Sequence, residues 1–261
     1  MSEDIDRKAV SHGKNQLAGI LLALGAMVLF CLMDLQAKYL GQTISVTQIV
    51  WARYFGLFVI MMVIFWPKRG MALVRSQRPW LQWIRSLLLL FCTFAFFIAI
   101  QYMPLADAVS ISFLSPLLVT ALSVPLLGVA FGYALYQITT RMIAGKDNAV
   151  TSLFFTAAVG AGLVTLIIPF FWSMPVEPIH WLMLGSLGII GGLGHYALIK
   201  SFEFAPVAVL APLSYTALPW NTLFGYWVFG DLPDRWTVIG ASILIATGIY
   251  ILYREGIRGK A

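Results

Sequence analysis

The chain has 261 residues, of which 60% are apolar and only 11% are charged, and its mean hydropathy is +0.87. A soluble domain carries roughly 45–50% apolar and about 25% charged residues, so this composition excludes a disordered chain and a soluble enzyme. The net charge of +6 does not indicate a nucleic-acid partner. The basic residues stand in short segments between apolar runs, which is typical of membrane topology.

Long apolar runs follow one another along the chain. A transmembrane helix needs about 20 mainly apolar residues, and runs that are continuous rather than alternating exclude barrel strands. The sequence therefore predicts an all-α polytopic membrane protein. Eight predicted helices cover residues 17–40, 46–66, 83–102, 106–127, 149–172, 181–200, 207–229 and 236–253. The apolar stretch 129–144 is shorter than these, so the predicted number of transmembrane helices is eight or nine.

Lysine and arginine residues predict the orientation of these helices. The segment 67–85 carries Lys68, Arg69, Arg75, Arg78 and Arg85 and no acidic residue, and both tails are basic as well. The turns on the other side hold Asp107, Glu177, Asp231 and Asp234. We therefore expect a cytoplasmic N-terminal tail (1–16) and a cytoplasmic C-terminal tail (254–261). All basic segments face the cytoplasm only if 129–144 does not cross the membrane.

The two halves of the chain are similar at an offset of about 102–103 residues. LFCLMDLQAK (29–38) aligns with GYALYQITTR (132–141), and YMPLADA (102–108) aligns with FAPVAVL (204–210). Internal repeats of this kind are typical of secondary transporters, which bind substrate near the bilayer midplane between the repeats. The last helix has no first-half partner after Gly128, so a segment on the order of 35 residues, judged from helix length, is absent from the repeat pattern.

Two segments carry a resemblance to a known family. They are ADAVSISFLSPLLVTALSVPLLG (106–128) and FAPVAVLAPLSYTALPWNTLFGYWVFGDLPDRWTVIGASILIATGIYILYRE (204–255). The chain resembles the EamA-type transporters of the drug/metabolite transporter superfamily over about 17–255. The resemblance implies ten helices in two inverted five-helix repeats. Here 17–128 would be a first repeat without its fifth helix, and 129–253 would be the second. The C-terminal segment is also similar to subgroups assigned to riboflavin or S-adenosylmethionine uptake.

Three charged residues lie within predicted helices, namely Asp34 and Lys38 in the first and Arg53 in the second. Asp34 and Arg53 lie at similar depths, roughly 9–10 Å below the same surface. A charge there costs an estimated 2.5 kcal/mol or more unless it is paired or hydrated. One interpretation is a buried ion pair, with Lys38 within reach of Asp34, that binds a charged substrate group or a coupling proton. The alternative is a structural pair, with Lys38 extending to the interface.

Polar and aromatic residues are the other candidates. The residues predicted to bind substrate, besides Asp34 and Arg53, are Trp51, Tyr136, Gln137, Tyr215, Trp220 and Asn221. Tyr and Trp commonly mark the membrane interface, but Tyr215, Trp220 and Asn221 lie in the middle of a helix. There an indole or phenol needs a polar partner or a wet cavity, so a substrate cavity and a buried core are equal alternatives.

Prolines and glycines predict where helices are broken and where two helices pack closely. Pro116 and Pro219 interrupt two helices at nearly corresponding positions, as expected of a site between repeats. Gly188 and Gly192 predict close helix packing. His195, which follows several glycines, is interpreted as a packed residue, with a proton relay as the alternative.

These observations predict a secondary transporter that moves a small organic metabolite by alternating access. The substrate would be amino-acid-, vitamin- or nucleoside-like, and the location a bacterial cytoplasmic membrane. One alternative is a truncated, transport-defective member of the same family. Another is an integral-membrane enzyme, which would need a cluster of acidic, His or Cys residues that the sequence does not show. We predict no catalytic residue, metal or cofactor. The expected partners are the lipid bilayer and the substrate but no nucleic acid, and a homodimer is left open.

Overall fold

The described residues form helices and turns. A computed structural model describes residues 2–113, 132, 135–136, 138–139, 142–143, 147–205 and 207–258. No strand occurs within these ranges, which confirms the all-α prediction. The helices are α1 (Ser2–Leu40), α2 (Val46–Ile60), α3 (Trp66–Arg69), α4 (Pro79–Tyr102), α5 (Leu105–Phe113), α6 (Ala149–Ile167), α7 (Pro178–Phe204), α8 (Val207–Leu210), α9 (Ala217–Phe229) and α10 (Arg235–Arg258). A π turn joins α2 to α3, and a 3₁₀ segment, Ala211–Thr216, joins α8 to α9.

Local sequence signals define several helix ends. Ser45 and Asn148 cap α2 and α6 by accepting hydrogen bonds from the backbone N–H groups of Gln48 and Val150, at 3.3 and 2.9 Å. Such side chains satisfy donors that the first helical turn leaves without a partner. At the other end of a helix, α9 stops at Gly230, whose φ of +71° is the left-handed conformation that glycine adopts without strain.

Five helical segments in the described part of the chain are long and apolar enough to cross a membrane. They are Gln16–Leu40, Val46–Leu73, Pro79–Tyr102, Val150–Phe170 and Pro178–Ser201. Large apolar side chains on their outer faces, including Leu166, Phe170 and Leu182, are exposed. Such a surface suits lipid rather than water.

The predicted helix 207–229 is broken rather than continuous. It consists of α8, the 3₁₀ segment and α9, and Pro212 and Pro219 stand in the break and just after it. Proline has no N–H to donate to the carbonyl four residues earlier, and at the break the N–H of Ala217 donates instead to the carbonyls of Ser214 and Tyr215. Pro116, most of the predicted helix 106–127 and most of the segment 129–144 lie outside the described residues.

Helix α7 is the centre of the bundle, packing most extensively against α1 and also against α2. A β-carbon added to Gly188 would lie 2.4 Å from the Cα of Gly56, and one added to Gly194 would lie 2.9 Å from the ring of Phe30. The close packing predicted for Gly188 is therefore confirmed. Because the backbones approach this closely, polar side chains on α1, α2 and α7 share one interior region.

Candidate functional site

Four ionisable side chains on four helices face the same interior region. Asp34 of α1 interacts electrostatically with Arg53 of α2. His195 of α7 interacts with both Arg53 and Arg85 of α4. We call Asp34, Arg53, Arg85 and His195 the central cluster. It carries two cations against one carboxyl group, so it suits a ligand with an anionic group.

Asp34 and Arg53 interact electrostatically without forming an ion pair. Neither the carboxylate nor the guanidinium is fully buried, and the two do not form an ion pair within 4.0 Å. In the described part of the chain, Asp34 has no hydrogen-bond partner. Its carboxylate therefore lies free to accept a bond from a ligand. The predicted proximity of Asp34 and Arg53 is confirmed, but the predicted direct pair is not present.

Arg53 is held by its own helix and by α4. Its Nη1 donates to Thr93 Oγ1 at 3.3 Å, and its guanidinium lies 5.5 Å from the ring centroids of Tyr54 and Phe97. The hydroxyls of Tyr54 and Thr93 are 3.0 Å apart. Aromatic faces and one long hydrogen bond to a neutral hydroxyl orient this cation but leave donor groups of the guanidinium for a further acceptor.

Arg85 is a site residue that the sequence analysis missed. It was counted with the basic segment 67–85, but it lies inside α4 with only 9% of its surface exposed. Its Nη1 donates to Thr156 Oγ1 at 2.9 Å and its Nη2 to the hydroxyl of Tyr136 at 3.1 Å. Gln82, Arg85 and Thr93 follow one another on one face of α4. This polar stripe at helical spacing is the signal that could have identified Arg85.

Asn221 brings a residue of the second half of the chain to the edge of the cluster. It is 1% exposed, and its Nδ2 donates to Cys31 Sγ at 3.1 Å and to the carbonyl of Ala217 at 3.0 Å. Cys31 precedes Asp34 by one turn of α1 and interacts with it electrostatically. The Oδ1 atom of Asn221 is buried without a hydrogen-bond partner, so this amide is an acceptor available at the site.

The structure sets several predicted site residues apart from the cluster. Trp51 donates from Nε1 to Thr165 Oγ1 at 3.0 Å and stacks on Phe55. Trp220 stacks on Phe224 and is 37% exposed, facing outward. Tyr215 lies beside Gly248 of α10. Tyr136 joins the cluster through Arg85, and Gln137 lies outside the described residues.

Lys38 does not pair with Asp34, so the interpretation that places it within reach of Asp34 is wrong; the side chain extends toward the end of α1 instead. Its Nζ forms an ion pair with Asp231 and donates to the carbonyl of Met103 at 3.0 Å. The side chain is buried beside the ring of Phe229. Asp231, which the left-handed cap at Gly230 places next to α1, supplies the charge partner that the sequence assigned to Asp34.

A second polar group lies outside the membrane-spanning helices. Asp147 accepts hydrogen bonds from Ser76 Oγ, from the backbone N–H of Gln77 at 2.8 Å and from Gln82 Nε2 at 2.8 Å. Burial acts to raise the pKa of the Asp147 carboxyl, but these three hydrogen bonds outweigh it and hold the pKa below its ordinary value of 3.8. The contacts join the segment before α4 to the start of α6.

Two comparisons with known proteins find similar sequences. The EamA-like transporter family matches the chain twice, over residues 17–133 and 124–254. The S-adenosylmethionine uptake transporter of Rickettsia prowazekii (strain Madrid E) is 23% identical, over 93% of this chain and 95% of the relative. The pseudopaline exporter of Pseudomonas aeruginosa (strain UCBPP-PA14) is 25% identical, over 89% of this chain and 95% of the relative. No solved structure matches.

The length of one alignment bears on the absent segment. The alignment with the Rickettsia prowazekii protein has 282 positions, whereas 93% of the 261 residues of this chain take part. About 40 positions of that relative therefore have no counterpart in this chain. This number is close to the length of the segment that the repeat pattern lacks.

Proposed function

The chain belongs to the EamA-like transporter family, and from this premise we propose that it moves a small organic metabolite across a bacterial cytoplasmic membrane by alternating access. It is a multi-pass membrane protein of a family of transporters, not an enzyme. The N-terminus would lie in the cytoplasm, as the distribution of basic residues predicts. Transport would be coupled to a gradient or to exchange.

The observation that carries the proposal is the separation of Asp34 from Arg53. Opposite charges inside a membrane normally pair with each other, because an unpaired charge there is costly. Here the two side chains interact electrostatically within the central cluster, but their charged atoms lie more than 4.0 Å apart. We propose that the substrate binds between the two side chains and completes both sets of interactions.

This geometry favours the amino-acid-like class among the three substrate classes. A carboxylate of the substrate would bind Arg53, since guanidinium and carboxylate form paired charge-assisted hydrogen bonds. An ammonium group of the same substrate would bind Asp34. The uptake transporter and the exporter named above act on S-adenosylmethionine and pseudopaline, and transport of such compounds by this chain is part of the proposal.

The test is flux into liposomes containing the purified protein. Radiolabelled amino acids, S-adenosylmethionine, riboflavin and a nucleoside form the panel. We expect saturable uptake of at least one amino-acid-like compound. Asp34→Asn and Arg53→Gln should each lower kcat/KM by about 100-fold, because each removes a charge-assisted hydrogen bond from a desolvated site.

Glu177→Gln is the matched control for Asp34→Asn. It makes the same carboxylate-to-amide change at an exposed side chain, which stands at the N-cap position of α7 but makes no capping hydrogen bond, and its flux should equal that of the wild type. Unchanged flux in both site variants would contradict the assigned site. Saturable flux of riboflavin or the nucleoside alone would contradict the amino-acid-like class.

The second candidate is a transport-defective member of the family. The observation that favours it is the group of about 40 positions of the relative that this chain does not match. A helix missing from one repeat would leave the two repeats unequal, and alternating access depends on their exchange of equivalent conformations. Folded, correctly inserted protein that shows no saturable flux of any compound in the panel would establish this candidate.

A further inference from the structure

The ion pair between Lys38 and Asp231 joins the two halves of the molecule at one end of the bundle. Lys38 is in the last turn of α1, and Asp231 lies just after α9. The same Lys38 Nζ donates to the carbonyl of Met103, in the turn between α4 and α5, at 3.0 Å. One ammonium group therefore holds three separate segments of chain together.

The contact between these three segments depends on the ion pair, because the ammonium group of Lys38 is buried between them. Lys38 is 8% exposed, and its Nζ lies 4.9 Å from the ring centroid of Phe229. The Asp231 side chain is 31% exposed, so Lys38 is the buried partner, and removing the carboxylate leaves a buried ammonium group uncompensated, which is strongly unfavourable. The three segments would therefore separate, or admit water, when the pair is broken.

The position of the pair relates it to the central cluster. Lys38 follows Asp34 by four residues and Cys31 by seven, so the three side chains lie along one face of α1. At 1.5 Å per residue, Lys38 lies about 6 Å from Asp34 along the helix axis. The pair is thus between the central cluster and the membrane face at which α1 ends.

We propose that the Lys38–Asp231 ion pair is the gate that closes the central site at the membrane face where α1 ends. Opening separates the ammonium group from the carboxylate of Asp231 and from the carbonyl of Met103. A cavity of about 400 Å³ is lined by Met103, whose carbonyl accepts the Lys38 hydrogen bond, by Asp107 and Ser110 of α5, and by Asp234 and residues of α10. This inference rests on the proposed alternating access.

Cys31 is a natural reporter for the gate. Its thiol is 1% exposed, lies two turns below Lys38 and is covered by Asn221. In a Cys92→Ser background, a small water-soluble methanethiosulfonate reagent is applied to protein in lipid nanodiscs. We expect Lys38→Met and Asp231→Asn to speed labelling of Cys31 by about ten-fold or more, because each shifts the gate toward its open state.

Two controls separate gate opening from general loosening. The charge exchange Lys38→Asp with Asp231→Lys should bring labelling of Cys31 back toward the wild-type rate. In a Cys31→Ser background, labelling of Cys92, a buried thiol on α4, should not change in any variant. The gate would be overturned if Cys31 were labelled at the same rate in the wild type and in the single variants. It would also be overturned if the single variants increased the labelling rate of Cys92 as much as that of Cys31. Labelling needs no substrate, so a failure of transport alone leaves this test intact.

Discussion

Each interior cation discussed above is held by a side chain from another segment of the chain: Lys38 by Asp231, Arg53 by Thr93 and Arg85 by Thr156. The sequence predicted Asp34 and Arg53 as charges within membrane helices, because a charged residue inside an apolar helix is conspicuous. It could not identify the partner of Lys38, since Asp231 is 193 residues away and only the turn after Gly230 brings it to α1. The interior position of Arg85 could not be predicted, because this residue directly follows a basic loop in the sequence. Its partners, Thr156 and Tyr136, come from later segments of the chain.

Asp147 gives a prediction at the same scale. The pKa of its carboxyl is lowered in the folded protein, so its ionised form stabilises the fold. This contribution is fully present above the ordinary value of 3.8 and is lost as the pH falls through the lower, folded-state pKa. Asp147→Ala should therefore lower the free energy of unfolding by about 1 kcal/mol at pH 7, a figure discounted for the partial exposure of the group.

Thermal unfolding followed by tryptophan fluorescence in detergent measures this effect. The difference between wild type and Asp147→Ala should shrink when both are measured at pH 3 instead of pH 7. Glu177→Ala, which removes an exposed carboxylate without a capping hydrogen bond, should leave stability unchanged at both pH values. A difference at pH 3 as large as that at pH 7 would show that the ionised carboxylate is not the stabilising species.

At the scale of elements, apolar run length predicted most of the helices but not their breaks. The predicted run 207–229 is interrupted at a 3₁₀ segment that contains Pro212. The sequence showed the prolines but not which of them would end the regular helix, since prolines are also tolerated as kinks in membrane helices. The glycines of α7 were more informative, because small residues at helical spacing have few uses other than close contact between helices.

Gly188→Ala tests that contact between α7 and α2. The new β-carbon would lie 2.4 Å from the Cα of Gly56, so the two backbones must separate. We expect the free energy of unfolding to fall by about 1–3 kcal/mol, the usual cost of overpacking. Thermal unfolding in detergent is the measurement.

Gly185→Ala is the matched control, three residues earlier on the same helix. A β-carbon there meets nothing within 4 Å, so stability should stay the same or rise by up to about 1 kcal/mol, because alanine favours helix. If Gly188→Ala were as stable as Gly185→Ala, α2 and α7 could not be packed as closely as described.

At the scale of the whole molecule, the internal repeat predicted a secondary transporter and two segments carried the resemblance to the family. The family match over both halves confirms the family. Composition and run length were sufficient for the fold class, because a membrane restricts a continuous apolar chain to helices. The arrangement of the central cluster was not predictable. It depends on four helices meeting, and each contributes only one or two polar residues to the interior. The same reasoning could not choose a substrate, since the fold does not determine it.

Exchange transport in liposomes tests the central claim most directly. Liposomes containing the wild-type protein are loaded with an unlabelled amino-acid-like substrate and diluted into a trace of the same labelled compound. In an alternating-access carrier, unlabelled internal substrate occupies the site when it opens inward, so labelled substrate enters faster than it leaves. We therefore predict that label accumulates transiently above its equilibrium level with the wild type, and that none accumulates with Asp34→Asn. Label that only equilibrates, at the same rate with and without internal substrate, would contradict a carrier whose single central site opens to each side in turn.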